Sequence, residues 1–245
     1  MSPSPPRVVH ADRELLVLDK PSGIPTTAPD EGPSLYALAR ALDPRAPQLH
    51  ASSRLDAEVT GLVTFARTSR AARALLDARA AGTYRRCYVA LAVGTLTSAR
   101  GEWTESIAID PRDQRRRVPL GKGERGERSQ HAATDWERIA EACGVSLLHV
   151  RPRTGRTHQI RVHAASAGAP IFGDVHYGGP RRVVLPDGRV VSARRVMLHC
   201  ARLRIPDVAR GGGAQLELAS EIPADLSRAW SELGGEVAIV APLRA

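Results

Sequence analysis

The sequence predicts an α+β fold in a single domain over residues 1–245. Short apolar and β-branched segments recur along the chain and are separated by turns with glycine or proline, which is typical of strands. Only a few segments place apolar residues at helical spacing. The chain has 245 residues, of which 42% are hydrophobic, so it can form a substantial core.

The N-terminal segment predicts a hairpin, a loop and a helix. Residues 7–19 place two apolar stretches around a polar turn, which favours a pair of strands. Residues 20–25 contain proline and glycine and are expected to form a loop. Leu35, Leu38 and Leu42 lie on one face of a predicted helix over residues 34–42.

A strand, a second helix and another strand follow. Residues 61–66 predict a buried strand. Residues 69–81 are rich in alanine and leucine and predict a helix, with Ser69 as the N-cap and Gly82 just beyond its end. Residues 85–93 carry aromatic and β-branched side chains and predict a strand.

Residues 110–131 are polar, charged and rich in glycine and proline. We predict a mobile basic loop at this position. Contact with RNA is one interpretation of its charge. A solvated loop without function is the other, because charged segments usually face water.

The second half of the chain continues the α+β pattern. Thr157 is the expected N-cap of a helix that runs from His158 to about residue 167. The other predicted elements are a strand pair over residues 134–139 and 145–150, a hairpin over 181–195, strands over 197–205 and 214–218, and a helix over 224–233.

The chain is strongly basic, with a formal net charge of +9 and a pI near 10.4. Lys20 and Lys122 are the only lysines, so nearly all of the positive charge comes from arginine. Arginine binds phosphate through paired hydrogen bonds and stacks on bases. An RNA partner and an arginine-rich coding bias explain this composition equally well.

The sequence contains no membrane or export signal that we recognise. No apolar stretch approaches the ~20 residues of a membrane-spanning helix, and the first residues do not resemble a signal peptide. We therefore expect a cytoplasmic protein without membrane association. Nothing in the sequence demands more than a monomer, so a monomer is expected. Cys87, Cys143 and Cys200 are widely spaced, so we expect three small buried side chains and no metal site.

Residues 151–163 concentrate four arginines, two histidines and a glutamine in one segment. Such a density of donors suits a polyanion or a buried carboxylate. Asp56 is the candidate carboxylate, as a nucleophile or general base, and its alternative is a turn aspartate that caps the backbone. Arg161 is the candidate cation for Asp56, and its alternative is a surface arginine.

Other kinds of site fit the sequence less well. His158 and His163 are separated by ~140° around a helix, so they are poorly placed to share a metal ion. The chain contains no Walker loop and no Gly-x-Ser-x-Gly segment. Tyr88 can stack on a base or join proton transfer, and its alternative is a half-buried strand tyrosine.

Five motifs in order resemble those of the RluA-like pseudouridine synthases, over about residues 8–203. The segment Ser53-Arg54-Leu55-Asp56 stands where the family has His-Arg-Leu-Asp, and Val59-Thr60-Gly61 stands where it has Thr-Ser-Gly. The other motifs are Lys20-Pro21-Ser22-Gly23, residues 88–94, residues 154–163 continuing to 168–174 and 177–178, and Met197-Leu198-His199-Cys200.

This resemblance implies a bent, mostly antiparallel mixed sheet with flanking helices, and an RNA isomerase without cofactor or metal. It implies that Asp56 is the catalytic aspartate, that Arg161 pairs with it, and that Tyr88 stacks on the uracil. Leu198 would line the pocket, and Arg54 would fill the gap left by a flipped uridine. Further candidate contacts to ribosomal or transfer RNA are Arg156, Thr157, His158 and Gln159.

Two other hypotheses stay open. Ser53 and Val59-Thr60 motivate an RNA-binding or RNA-folding factor without turnover. A hydrolase that uses Asp56 with His158 or His163 is the other. Because few residues precede the first strand, we expect no separate N-terminal RNA-binding domain. Target recognition is then assigned to residues 115–128 and 181–195.

Overall fold

The computed structural model describes residues 5–28, 32–43, 49–121, 123–124, 126–211 and 213–236. These residues form two compact units. The first unit contains the described residues up to 86 together with His199–Glu221, and the second contains Cys87–Leu198 together with residues 222–236. The predicted single domain stays a prediction.

The described residues form fourteen strands, four α-helices and one short 3-10 helix. The strands are β1 Arg7–Ala11, β2 Leu15–Lys20, β3 His50–Ala51, β4 Thr60–Ala66, β5 Arg85–Val93, β6 Arg100–Trp103, β7 Ser106–Asp110, β8 Asp113–Leu120, β9 Thr134–Ala142, β10 Val145–Pro152, β11 Arg182–Val184, β12 Val190–Ser192, β13 Leu198–Pro206 and β14 Gln215–Ala219. The helices are α1 Leu35–Leu42, α2 Ser69–Ala80, α3 Gln159–Ser166 and α4 Ala224–Glu232, and the 3-10 helix is Val175–Tyr177.

In the first unit, neighbouring strands follow the order β1, β2, β4, β13. β2 pairs antiparallel with β4, whereas β13 pairs parallel with β4, so this sheet is mixed. Gly61 makes the parallel pairing possible: it has a φ of +112°, and a Cβ there would stand 2.3 Å from the carbonyl oxygen of Cys200. β4 is buried along its whole length, as its apolar sequence predicts.

In the second unit, β5, β10, β9 and β6 are antiparallel neighbours. The buried residues Leu91, Leu147 and Leu148 lie within this sheet. A separate hydrophobic cluster contains Ile107 of β7, Val162 of α3 and Tyr177 of the 3-10 helix. Val162 thereby packs α3 against β7 and the 3-10 helix.

Two predicted helix caps are wrong by one residue. The N-cap of α2 is Thr68, whose hydroxyl accepts a hydrogen bond from the Ala71 N–H, and Ser69 is the first helical residue. The N-cap of α3 is His158, with a left-handed φ of 57° and no side-chain capping bond, so Thr157 does not cap this helix.

The predicted loop over residues 110–131 is wrong for its first half. Asp113–Leu120 forms β8, which pairs antiparallel with β7 to make a hairpin. Charged side chains misled the prediction, because a polar strand at a sheet edge lacks the apolar alternation that marks a strand in the sequence. Residues 122 and 125 lie outside the described residues.

The other predicted helices and strands are confirmed within a few residues, including the hairpin of β11 and β12. The short strands β3, β6 and β7 were not predicted. Cys143 is exposed, contrary to expectation, whereas Cys87 and Cys200 are buried. Within the described part of the chain, no helix is long and apolar enough to cross a membrane.

Candidate active site

Asp56 is half-buried and lies in the loop that leads into β4. Its carbonyl oxygen accepts a hydrogen bond from the Val59 N–H at 3.1 Å, which closes a turn. The hydrogen bonds to Leu55 and Ala57, on either side of Asp56, come from residues 20–26, which include the predicted loop over residues 20–25. Asp56 therefore sits on a loop held from both sides.

Lys20 is the centre of this support. Its side chain is buried, and its ammonium donates hydrogen bonds to the carbonyls of Pro21 and Ile24, both at 2.8 Å, and of Ala57 at 3.1 Å. The Gly23 N–H donates to the same Ala57 carbonyl at 2.8 Å. Because a buried ammonium needs acceptors, these bonds tie residues 20–24 to the residue after Asp56.

Thr26 holds the residue before Asp56. Its hydroxyl accepts a hydrogen bond from the Leu55 N–H at 2.8 Å and donates to the Leu55 carbonyl at 3.0 Å. Both Thr26 and Leu55 are buried. One side chain thus fixes both polar groups of the Leu55 backbone, and with them the direction in which the chain enters Asp56.

Ser53, which stands where the family has histidine, is buried and bonds the backbone of β4. Its hydroxyl accepts a hydrogen bond from the Thr64 N–H of β4 at 3.1 Å. The next residue, Arg54, is exposed. Ser53 therefore anchors the start of the Asp56 loop to β4, and Arg54 projects from an anchored backbone.

Arg161 lies on α3 and is buried with Asp174 as its partner. The Arg161 Nε and Nη2 donate to the two carboxylate oxygens of Asp174 at 2.7 and 2.8 Å. The Arg161 guanidinium also faces the ring of Tyr177, with its Cζ 5.1 Å from the ring centroid. The surface alternative for Arg161 is therefore wrong.

Gln159 holds the loop that precedes α3. Its Nε2 donates to the Ala133 carbonyl at 2.9 Å and to the Thr134 hydroxyl at 2.8 Å. Its Oε1 accepts from the Thr154 hydroxyl at 2.7 Å and from the Arg156 N–H at 2.9 Å. These four bonds support a scaffold role for Gln159, and a contact with RNA stays a prediction for it, as for Arg156 and for the exposed Thr157.

The two histidines of this segment have different surroundings. His158 Nδ1 is 2.6 Å from the Tyr177 hydroxyl. His163 is fully buried between the Thr134 hydroxyl and the Glu105 carbonyl, and burial lowers the pKa of its imidazole. His163 is therefore a poor candidate for the base of a hydrolase. No group of three or more His, Cys, Asp or Glu in the described ranges is arranged to hold a metal ion.

Tyr88 and Leu198 are buried residues of the second unit. Tyr88 lies on β5, in register with Val150 of β10. Leu198 begins β13, and its carbonyl accepts a long hydrogen bond from Arg195 at 3.4 Å. Arg161 belongs to the same unit, whereas Asp56 and Arg54 belong to the first. The predicted pairing of Arg161 with Asp56 therefore stays a prediction.

Sequence reasoning assigned no role to Asp174, Tyr177 or Thr26. Asp174 and Tyr177 were part of the motif that resembles the family, but nothing in their spacing pairs them with Arg161. The signal for Asp174 was weak: it follows the apolar Ile171-Phe172-Gly173 segment, and an aspartate that is buried beside such a segment needs a cation. Thr26 gave no such signal.

The comparisons with known proteins agree with the motifs. The family model for RNA pseudouridylate synthase matches residues 14–166. An uncharacterised RNA pseudouridine synthase of Zymomonas mobilis is 34% identical over 238 residues, which cover 93% of this chain and 97% of the relative. Ribosomal large subunit pseudouridine synthase D of Xanthomonas campestris is 32% identical over 254 residues, which cover 98% of this chain and 72% of the relative.

Two solved human structures share the fold. RNA pseudouridylate synthase domain containing 4 has a TM-score of 0.72 at 23% identity, covering 93% of this chain and 92% of that chain. RNA pseudouridylate synthase domain containing 1 has a TM-score of 0.71 at 23% identity, covering 98% and 96%. The predicted α+β class is confirmed. By its family match and by relatives above 30% identity, the chain belongs to the RluA-like RNA pseudouridine synthases, which are isomerases.

Proposed function

We propose that this enzyme converts specific uridines of ribosomal RNA to pseudouridine, with Asp56 as its catalytic aspartate. The observation that carries the assignment is the support around the Asp56 loop. Lys20 and Thr26 bond the backbone on both sides of this residue, at Ala57 and Leu55. A loop held in this way keeps a reactive group at a fixed position, which catalysis requires.

In the proposed reaction, Asp56 promotes cleavage of the glycosidic bond, by attack on the sugar or by initiating elimination there. The freed uracil turns and rejoins the sugar through carbon 5. The hydrogen on carbon 5 leaves as a proton while the ring nitrogen released from the sugar gains one. The product is an isomer of the substrate, and the balance requires no oxidant or reductant.

The other residues have supporting roles in this proposal. Arg161 balances and orients the Asp56 carboxylate, and Tyr88 stacks on the uracil and assists removal of the carbon 5 proton. Leu198 packs against the base. Arg54, which is exposed beside Asp56, fills the gap left by the flipped uridine.

Ribosomal RNA is favoured over transfer RNA by the names of two relatives. The Xanthomonas campestris protein and one of Yersinia pestis, 34% identical over 233 residues, are both ribosomal large subunit pseudouridine synthase D. The net charge of +9 suits either RNA, because phosphate contacts are independent of sequence. The family match also favours an enzyme over the RNA-binding factor.

The proposal is tested by mapping pseudouridines in cellular RNA, with carbodiimide labelling and reverse transcription, in cells with and without the gene. The gene is then restored as wild type, as Asp56→Asn, or as Asp77→Asn. Asp77 is an exposed aspartate of α2 paired with Arg73, so it controls for the loss of one carboxylate.

We expect a site in the large ribosomal RNA that disappears on deletion and returns with wild type and Asp77→Asn only. A site that returns with Asp56→Asn would contradict the role of Asp56. A lost site in transfer RNA alone would contradict the RNA class.

A further inference from the structure

Asp174 and Arg161 form a buried ion pair in the second unit. Their side chains are 0% and 4% exposed, and two parallel hydrogen bonds of 2.7 and 2.8 Å join them. Burying two charges is costly unless their geometry is good, so such a pair is weak evidence for stability. A role in fixing the direction of the guanidinium explains it better.

The backbone around Asp174 is itself tightly held. The Asp174 N–H donates to the Ile171 carbonyl at 3.0 Å, and the Asp174 carbonyl accepts from the Gly179 N–H at 2.8 Å. A Cβ at Gly173 would stand 2.0 Å from the Arg195 carbonyl oxygen, so Gly173 lets the chain pass close to its neighbour. The carboxylate is thus presented from a turn with little freedom to move.

Tyr177 holds the guanidinium from another direction. Its ring centroid is 5.1 Å from the Arg161 Cζ, within the range of a cation–π contact. The Tyr177 hydroxyl accepts a hydrogen bond from the Arg117 N–H of β8 at 3.0 Å and is 2.6 Å from His158 Nδ1. The ring that faces Arg161 is therefore fixed by groups on both β8 and the residue before α3.

We propose that Asp174 is a positioning residue for Arg161, and that Tyr177 assists it. This inference rests on the proposed function, in which Arg161 orients the Asp56 carboxylate. A guanidinium has five N–H donors, and Asp174 takes two of them on one edge. Asp174 thereby sets the direction of the other edge of the Arg161 guanidinium. In this proposal, that edge orients the Asp56 carboxylate.

The test is the single-turnover rate of Asp174→Asn, measured as tritium release from RNA labelled at carbon 5 of uridine. We expect the rate constant to fall about 100-fold, because a displacement of about 1 Å at a reacting centre can slow a reaction by that factor. RNA affinity should keep its wild-type value. With enzyme in saturating excess over RNA, a merely structural role would lower the folded fraction seen by circular dichroism and leave the rate constant unchanged. That result would overturn the inference.

Glu14→Gln is the matched control. Glu14 is also a buried carboxylate bonded to an arginine, Arg70, but it adjoins Leu15, which pairs with Ala66 at the end of β4 away from Asp56. We expect its rate constant to match wild type. An equal loss of rate in Glu14→Gln and Asp174→Asn would overturn the positioning role.

Two Tyr177 variants keep the test decisive if Asp174→Asn does not fold. Tyr177→Leu removes the ring beside Arg161, whereas Tyr177→Phe keeps it and loses only the hydroxyl. We expect a much larger loss of rate in Tyr177→Leu, and equal rates in the two variants would contradict the inference. Asp56→Asn in the same assay separates the failures: if it stays active, the proposed function itself is wrong.

Discussion

Replacing Gly61 by alanine tests how β4 is joined to β13 just beyond the Asp56 loop. The added Cβ would lie 2.3 Å from the Cys200 carbonyl oxygen and 2.6 Å from its nitrogen. Ordinary contact is about 3.5 Å, so β13 must retreat by roughly 1 Å. The change also forces a side chain onto a φ of +112°.

The cost can be estimated from these two effects. An unfavourable backbone conformation costs about 1–3 kcal/mol. Loss of one or two hydrogen bonds of the parallel ladder adds about 1 kcal/mol each. We therefore expect Gly61→Ala to lower the free energy of unfolding by roughly 2–5 kcal/mol, measured by urea denaturation followed by circular dichroism.

Gly82→Ala is the control for backbone strain alone. Gly82 has a φ of +70°, but a Cβ there would meet nothing within 4 Å. We expect this variant to lose only about 1–2 kcal/mol. Equal unfolding free energies for the two variants would refute the argument that close approach to Cys200 dominates the cost.

Three further predictions concern the site, the pH response and the basic hairpin. Thr26→Val should lower the free energy of unfolding by about 1–3 kcal/mol and slow tritium release, because both polar groups of Leu55 lose their partner; unchanged stability and rate would contradict this. Burial lowers the pKa of His149 from 6.5 to about 4. As the pH falls through that range, His149 binds a proton in the unfolded chain before it does so in the folded chain, so the free energy of unfolding should fall. As the pH is lowered, the midpoint of urea unfolding should fall less in His149→Gln than in wild type. An equal fall in the two proteins would exclude His149 as the cause of the acid sensitivity. Replacing the exposed Arg112 and Arg115 by serine should weaken RNA binding and flatten its salt dependence; an unchanged slope would mean that the hairpin does not contact phosphate.

The sequence predicted the elements whose residues alternate or repeat regularly. β4 and α2 carry clear apolar patterns, and the structure has both within one residue of the expected bounds. β8 was taken for a loop, because its pairing with β7 and the bond from Arg117 to Tyr177 are tertiary contacts that a polar sequence does not reveal.

In the candidate site, too, some residues could be predicted from the sequence and others depend on tertiary contacts. The sequence pattern and the resemblance to the family both pointed to Asp56 and Arg161, but the residues that hold them came only from the structure. The cap of α3 is an example: a hydroxyl at Thr157 fits the usual pattern, whereas Gln159 bonds Thr154 and Arg156 instead and His158 takes the left-handed position. Long-range partners such as Asp174 depend on how the chain folds back.

Asp56 is proposed to carry out uridine isomerisation in RNA. The most direct measurement is tritium release by the purified protein from transcribed large ribosomal RNA labelled at carbon 5 of uridine, with Asp56→Asn and Asp77→Asn beside wild type. We expect release by wild type and Asp77→Asn, pseudouridine in the product, and no release by Asp56→Asn. Release by Asp56→Asn at the wild-type rate would contradict this role of Asp56.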